Sequence, residues 1–173
     1  PLSLRTQRAP QTVRQSFSGI LTILSDRGYL WLAAFCVTAV GPAVSVIGLL
    51  SGIYLRERFG LDPTALGNTV LALLVALNLG GVIYGPLDRW SGRRKLVVAG
   101  GILIQIVMLA TLAVAGELGF WATTSLLVAF AAFSQIHALV IAQAQSLFGP
   151  ELAGRVITTT NLFLIGGIFL FQL

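Results

Sequence analysis

The chain has 173 residues, 56% hydrophobic and only 10% charged, with a formal net charge of +5 and a mean hydropathy of +0.90. A soluble domain needs roughly a quarter of its residues charged, so the composition excludes an ordinary water-soluble fold and points to an all-α, polytopic membrane protein whose solvent is the lipid bilayer. The basic excess forms no stripe with interleaved aromatics, which argues against a nucleic-acid partner; its residues stand at the ends of apolar runs.

Residues 1–28 read as a cytoplasmic linker. Within it Val13, Phe17, Ile20, Leu21 and Leu24 recur at helical spacing, with Arg14, Gln15 and Ser18 on other faces, as in a short amphipathic helix lying on a membrane surface. An ordinary linker is the alternative. The stretch begins at Pro1 and lacks the order of a cleavable signal peptide, so the chain reads as a piece of something longer.

A hydrocarbon core of about 30 Å takes about 20 apolar residues per helix. Charges and Gly/Pro punctuation cut residues 29–173 into five such spans, at about 29–54, 63–84, 96–114, 120–148 and 154–173. The last stops at Phe171-Gln172-Leu173 without a polar flank, which again suggests a fragment. Short positively charged loops stay in the cytoplasm. With the amino end inside, Arg5, Arg8, Arg14, Arg27, Arg89, Arg93, Arg94, Lys95 and Arg155 are all cytoplasmic, leaving Arg56 and Arg58 outside.

In the first span, Gly41, Ser45, Gly48 and Gly52 form a small-residue stripe, and Gly41-Pro42 is expected to interrupt the helix and free carbonyls toward a cavity. Close packing of two helices explains the stripe equally well, and the two can coexist. At the end of the second span, Gly81 and Gly85 are a small-xxx-small pair that lets another backbone approach. Pro86 should stop that helix, with Asp88 just beyond it, able to accept hydrogen bonds from the free N–H groups of a neighbouring helix. Gly92 permits a tight turn, and the arginines after it can pair with carboxylates or helix carbonyls. A plain positive-inside loop would need only basic residues, in any order.

The order present, Gly85-Pro86-Leu87-Asp88-Arg89-Trp90-Ser91-Gly92-Arg93-Arg94-Lys95, resembles the G-x-L-x-D-R-x-G-R-[RK] loop of the major facilitator superfamily, which follows the second helix of each six-helix half. The resemblance implies a conformational latch comprising Gly85, Asp88, Arg89, Gly92, Arg93 and Arg94. Asp88 would engage the amino end of a helix in the opposite half and hold the outward-open state, while the arginines knit the cytoplasmic face. The fourth and fifth spans carry neither the intramembrane arginine nor the Gly-Pro-rich signature common in the family's amino-terminal half. Pro150-Glu151-Leu152-Ala153-Gly154-Arg155 resembles the family's loop between helices ten and eleven. The resemblance therefore implies helices seven to eleven of the carboxyl-terminal six-helix bundle, with the twelfth absent. It also implies that the seventh helix lines the substrate cavity and bends.

Candidates for a solute or proton pathway are the polar residues within the spans. On the fourth span, Thr123, Ser134, His137 and Gln145 fall on one helical face, while Gln135 and Gln143 point elsewhere and at least one of them is expected to bond between helices. Gln105 lies on the third span, Asn78 on the second and Asn161 on the fifth, each also explicable as packing glue. His137 is either a neutral histidine bonded between helices or a group for substrate or proton. No acid and no Lys or Arg lies at mid-span, which favours a neutral or mainly apolar solute, or anion recognition from the other half, and leaves any proton coupling to His137 or to the other half.

Paired carboxylates, a Ser-His-Asp set, metal-ligand spacing and a phosphate-binding Gly-Lys-Ser/Thr loop are all missing, so no enzyme activity, metal or cofactor is expected. Cys36, the single cysteine, can form no intrachain disulfide. The leading expectation is a secondary transporter in a bacterial inner membrane, moving a small solute by alternating access, with an amino-terminal bundle supplied by the same protein or by a partner membrane subunit. The alternative is a transporter-like scaffold or assembly subunit without transport activity.

Overall fold

A computed structural model describes residues 13–173, with side chains from residue 18 onward. Among them there is no strand. Six helices succeed one another: α1 Val13–Ser25, α2 Arg27–Phe59, α3 Pro63–Ser91, α4 Arg94–Val114, α5 Phe120–Ser146 and α6 Ala153–Leu170. The last five are each long and apolar enough to cross a membrane. Arg5 and Arg8 lie outside the described residues, as do the side chains of Val13, Arg14 and Phe17.

Local chemistry sets the helix ends. Asp26 caps α2 by accepting from the Tyr29 N–H at 2.7 Å, and Asp62 caps α3 by accepting from Thr64 and Ala65 at 2.8 and 3.1 Å, with Pro63 in the first turn. Gly60 and Gly92 close α2 and α3 at φ of 62° and 60°, the left-handed geometry that glycine adopts without a Cβ clash.

Two prolines do less to their helices than the sequence suggests. Helix α2 runs without a break through Gly41-Pro42, because π-helical turns at Cys36–Val40 and Val46–Leu50 flank the proline. Pro42 has no N–H for the carbonyl four residues back, and the wider turns rearrange the ladder: Gly41 N–H bonds Cys36 O, and Ser51 N–H bonds Val46 O. Each extra residue in a turn rotates the remainder of the helix by about 100°, so the expected stripe comes apart. Gly41 packs on the backbone of Gly167 in α6, Gly48 faces open space, and Gly52 looks toward Val70 of α3. Pro86 likewise does not stop α3, which continues to Ser91 and carries Asp88 in its last turn. Pro86 has no N–H for the Val82 carbonyl, a loss that falls on an exposed face of α3, where both Val82 and Pro86 lie.

Three apolar clusters stack along the bundle. Ile47, Leu55, Leu73, Leu127 and Phe130 join α2, α3 and α5; Cys36, Tyr84, Val97, Ile136 and Val140 form the middle cluster. At the end where Arg27, Arg89, Lys95 and Arg155 gather, Ile23 ties α1 to Tyr29, Ala33, Ala144 and Val156. Among the described side chains of α1, Ile23 is thus fully buried, while Leu21 is exposed. The close backbone approach on α3 is made by Gly80 against Ala132 of α5; Gly81 instead faces the Gln135 side chain, and Gly85 is open. This corrects the expected Gly81/Gly85 pair.

Leu103, Ile106 and Val107 of α4 are exposed, and Trp31, Trp90 and Trp121 stand near span ends with 78%, 88% and 79% of their surface free. Lipid accommodates the first group and membrane interfaces favour the second. A groove runs between α2 and α4 over α5, as three hollows of about 460, 260 and 260 Å³ that share Phe35, Val46 and Leu109. It extends from Gly28 to Tyr54, about 40 Å along a helix.

Candidate functional site

Charge concentrates where α3 turns into α4. Gly92 donates to the Asp88 carbonyl at 3.1 Å, bringing the start of α4 back beside the last turn of α3. Arg94 then reaches Asp88 Oδ2 with both Nε and Nη2, at 3.0 and 2.8 Å. Its remaining Nη1 donates to Gln143 Oε1 of α5 at 3.1 Å. One planar guanidinium thus joins three helices. Gly85, Asp88, Arg89, Gly92 and Arg94 line an open hollow, and Arg89 and Arg93 are exposed. Helical periodicity alone places Gln143 away from the candidate face; the only signal it carries in the sequence is its polarity in an apolar helix.

A second polar group lies where α5 departs from helix at Ser134–Ile136, between Phe120–Phe133 and His137–Ser146. The departure leaves the Phe133 carbonyl accepting from Tyr84 Oη at 2.8 Å and from Gln105 Nε2 at 3.1 Å. Ser134 Oγ lies 2.7 Å from the Phe130 carbonyl and 3.4 Å from Gln105 Oε1. Buried backbone groups need partners, and here side chains of α3 and α4 supply them. Ser134 and Gln105, both buried, spend their polar atoms on this network, and both border the middle hollow of the α2/α4 groove. Tyr84 is not legible as a site residue in the sequence: nothing in Ser134-Gln135-Ile136, which has neither Gly nor Pro, marks the carbonyl it serves.

His137 opens the second half of α5. Its Nε2 is buried and without a hydrogen-bond partner, and its ring lies close enough to Asn161 of α6 for the side chains to interact. Ser134 and His137, placed on one face by periodicity, therefore serve different neighbours, because the irregular turn between them breaks the helical phase. Asn78 is exposed on α3 and bonds its own helix at the Leu74 carbonyl, 2.7 Å away. Gln145 is half-buried. Thr123 is fully buried in the first turn of α5, its Oγ1 unpaired. Ser45 Oγ lies 3.0 Å from the Gly41 carbonyl and 3.2 Å from that of Ile168, tying α2 to α6 where Gly41 and Gly167 meet. Among the described residues no group of three or more His, Cys, Asp or Glu comes together.

The model of the Major Facilitator Superfamily matches residues 2–171, nearly the whole chain. The chain belongs to the major facilitator superfamily. Neither the curated proteins nor the solved structures contain a match to it. As a major facilitator protein it is an integral membrane protein of the transporter class, and the five spanning helices agree with that family's helical bundle.

Proposed function

We propose that this major facilitator chain forms part of the carboxyl-terminal half, helices seven to eleven, of a secondary transporter that moves a small solute by alternating access. The observation that carries the reading is the bonding of Asp88 through Arg94 to Gln143. A structural loop needs no carboxylate in its helix end; a latch needs one that is held, oriented and within reach of another bundle. Asp88 retains 16% of its side-chain surface free and borders an open hollow, which supports its engaging a helix of the opposite half from the cytoplasmic side of a bacterial inner membrane.

The α2/α4 groove supports a six-helix bundle, since a transmembrane helix of the same protein would fill a slot of that length and apolarity. Solute contact falls to His137 and Asn161, with Gln145 farther along the half-helix. Without an acid or cation at mid-span on this side, the solute is neutral or mainly apolar, and any proton carried here is carried by His137.

The test is chemical accessibility in membranes. Cysteines introduced as His137→Cys and Gln145→Cys should react with a water-soluble thiol reagent in at least one transport state. If neither reacts in any state, the wall is dry and the scaffold reading replaces the carrier.

A further inference from the structure

The segment of α5 beyond its irregular turn packs through Leu139, Val140 and Ala144 on α2 and α6 and is tied by side-chain hydrogen bonds at both ends. At Ser134–Ile136 it leaves regular helix, and Tyr84 and Gln105 fix the Phe133 carbonyl at that turn. The next ten residues form one rigid half-helix, His137–Ser146, about 15 Å long. Near its far end Gln143 accepts from Arg94, the residue that also holds Asp88. With its middle packed, the half-helix depends on these two ties for the placement of its ends. The near end carries His137 and its neighbour Asn161.

We propose that Gln143 is a positioning residue, transmitting the state of the Asp88 loop to His137 through this half-helix; the inference rests on the carrier reading above. The side-chain chemistry suits the task. A neutral amide takes the third edge of the guanidinium without neutralising it, so Asp88 remains the charge partner of Arg94 while the latch is disengaged. When Asp88 turns to another bundle, Arg94 keeps Gln143 as an acceptor, and both move with the half-helix. An acid in place of Gln143 would compete with Asp88 for the same cation.

Cys36, the chain's single cysteine, reports on this arrangement without an introduced probe. It is fully buried in the cluster that contains Leu139 and Val140 of the half-helix, so loosening of the half-helix uncovers it. The experiment is the rate at which N-ethylmaleimide modifies Cys36 in the intact protein in proteoliposomes, read by mass without any solute. Gln143→Ala should speed labelling at least about tenfold, the factor expected when a hydrogen bond to a charged group is lost. Arg94→Ala should match it. Gln143→Glu, which restores an acceptor, should label at the wild-type rate or slower. Asp88→Asn, which alters the loop's hold on Arg94, should shift the labelling rate in the wild-type background and have no further effect in the Gln143→Ala background.

An unchanged rate in Gln143→Ala, or an Asp88→Asn effect that persists undiminished when Gln143 is alanine, would overturn the proposal. Failure of this linkage leaves transport itself intact and measurable. Conversely, a labelling pattern as expected in a protein whose positions 137 and 145 never meet water would sink the carrier reading while the linkage stands.

Discussion

Tyr84 on α3 and Gln105 on α4 donate to one acceptor, the Phe133 carbonyl of α5, at 2.8 and 3.1 Å. Either donor alone satisfies the carbonyl. Tyr84→Phe and Gln105→Leu should therefore each cost about 0.6–1.5 kcal/mol, the range for interhelical hydrogen bonds. The double substitution leaves a bare carbonyl and should cost about 1–2 kcal/mol more than the sum. Denaturant titration of the four proteins in micelles measures this, and simple additivity would mean that another group takes over the carbonyl.

The helix pair α2/α6 should be intolerant of any side chain at its crossing. A Cβ on Gly41 would stand 2.7 Å from the Gly167 carbonyl carbon, and one on Gly167 would stand 2.7 Å from Val37 Cα. Both obstacles are backbone, so Gly41→Ala or Gly167→Ala should destabilise by about 1–3 kcal/mol. Gly48→Ala meets nothing within 4 Å and should be neutral or stabilising by up to about 1 kcal/mol. Thermal unfolding followed by circular dichroism distinguishes these outcomes, and equal losses at Gly41 and Gly48 would refute the close crossing.

Asp88→Asn should separate switching from folding. Its ion pair with Arg94, whose side chain is 33% exposed, is worth at most about 1 kcal/mol to stability. Insertion and melting should hardly change. Solute flux into vesicles should fall about tenfold, the usual size of a coupling between distant sites. Full flux in the variant would remove the latch.

Glycines 85 and 92 should respond in opposite ways. Gly92 takes φ +60°, so Gly92→Ala should cost about 1–2 kcal/mol in melting experiments. Gly85 has nothing within 4 Å of its missing side chain, and Gly85→Ala should leave melting unchanged. If the other bundle closes on that face, flux should nevertheless drop in the Gly85 variant. Loss of stability there would mean that the face is already filled.

Much of the architecture is legible without any coordinates. Helix length and apolarity place five spans, since the bilayer imposes both on any helix that crosses it. Asp62-Pro63, Gly60 and Gly92 mark ends because their chemistry acts within a turn of their own position. The ordered string from Gly85 to Lys95 points to the family on its own. What misleads is the assumption of uniform helical phase. Gly48 leaves the Gly41 stripe, and Ser134 parts from His137, because π-helical turns in α2 and the irregular turn in α5 rotate everything beyond them.

Which segments enter lipid, where the charge collects and which superfamily's loop joins α3 to α4 can all be read from the order of residues alone. These depend on composition and on neighbours close along the chain. That Gly80 and Gly167, rather than Gly81 and Gly48, let backbones touch, that Tyr84 and Gln105 share one carbonyl, and that Gln143 takes the free edge of Arg94 emerge with the packed bundle. Those outcomes depend on how one helix is rotated against another. That rotation is set by summed packing across the bundle, and hydropathy, which changes little around an almost wholly apolar helix, does not encode it.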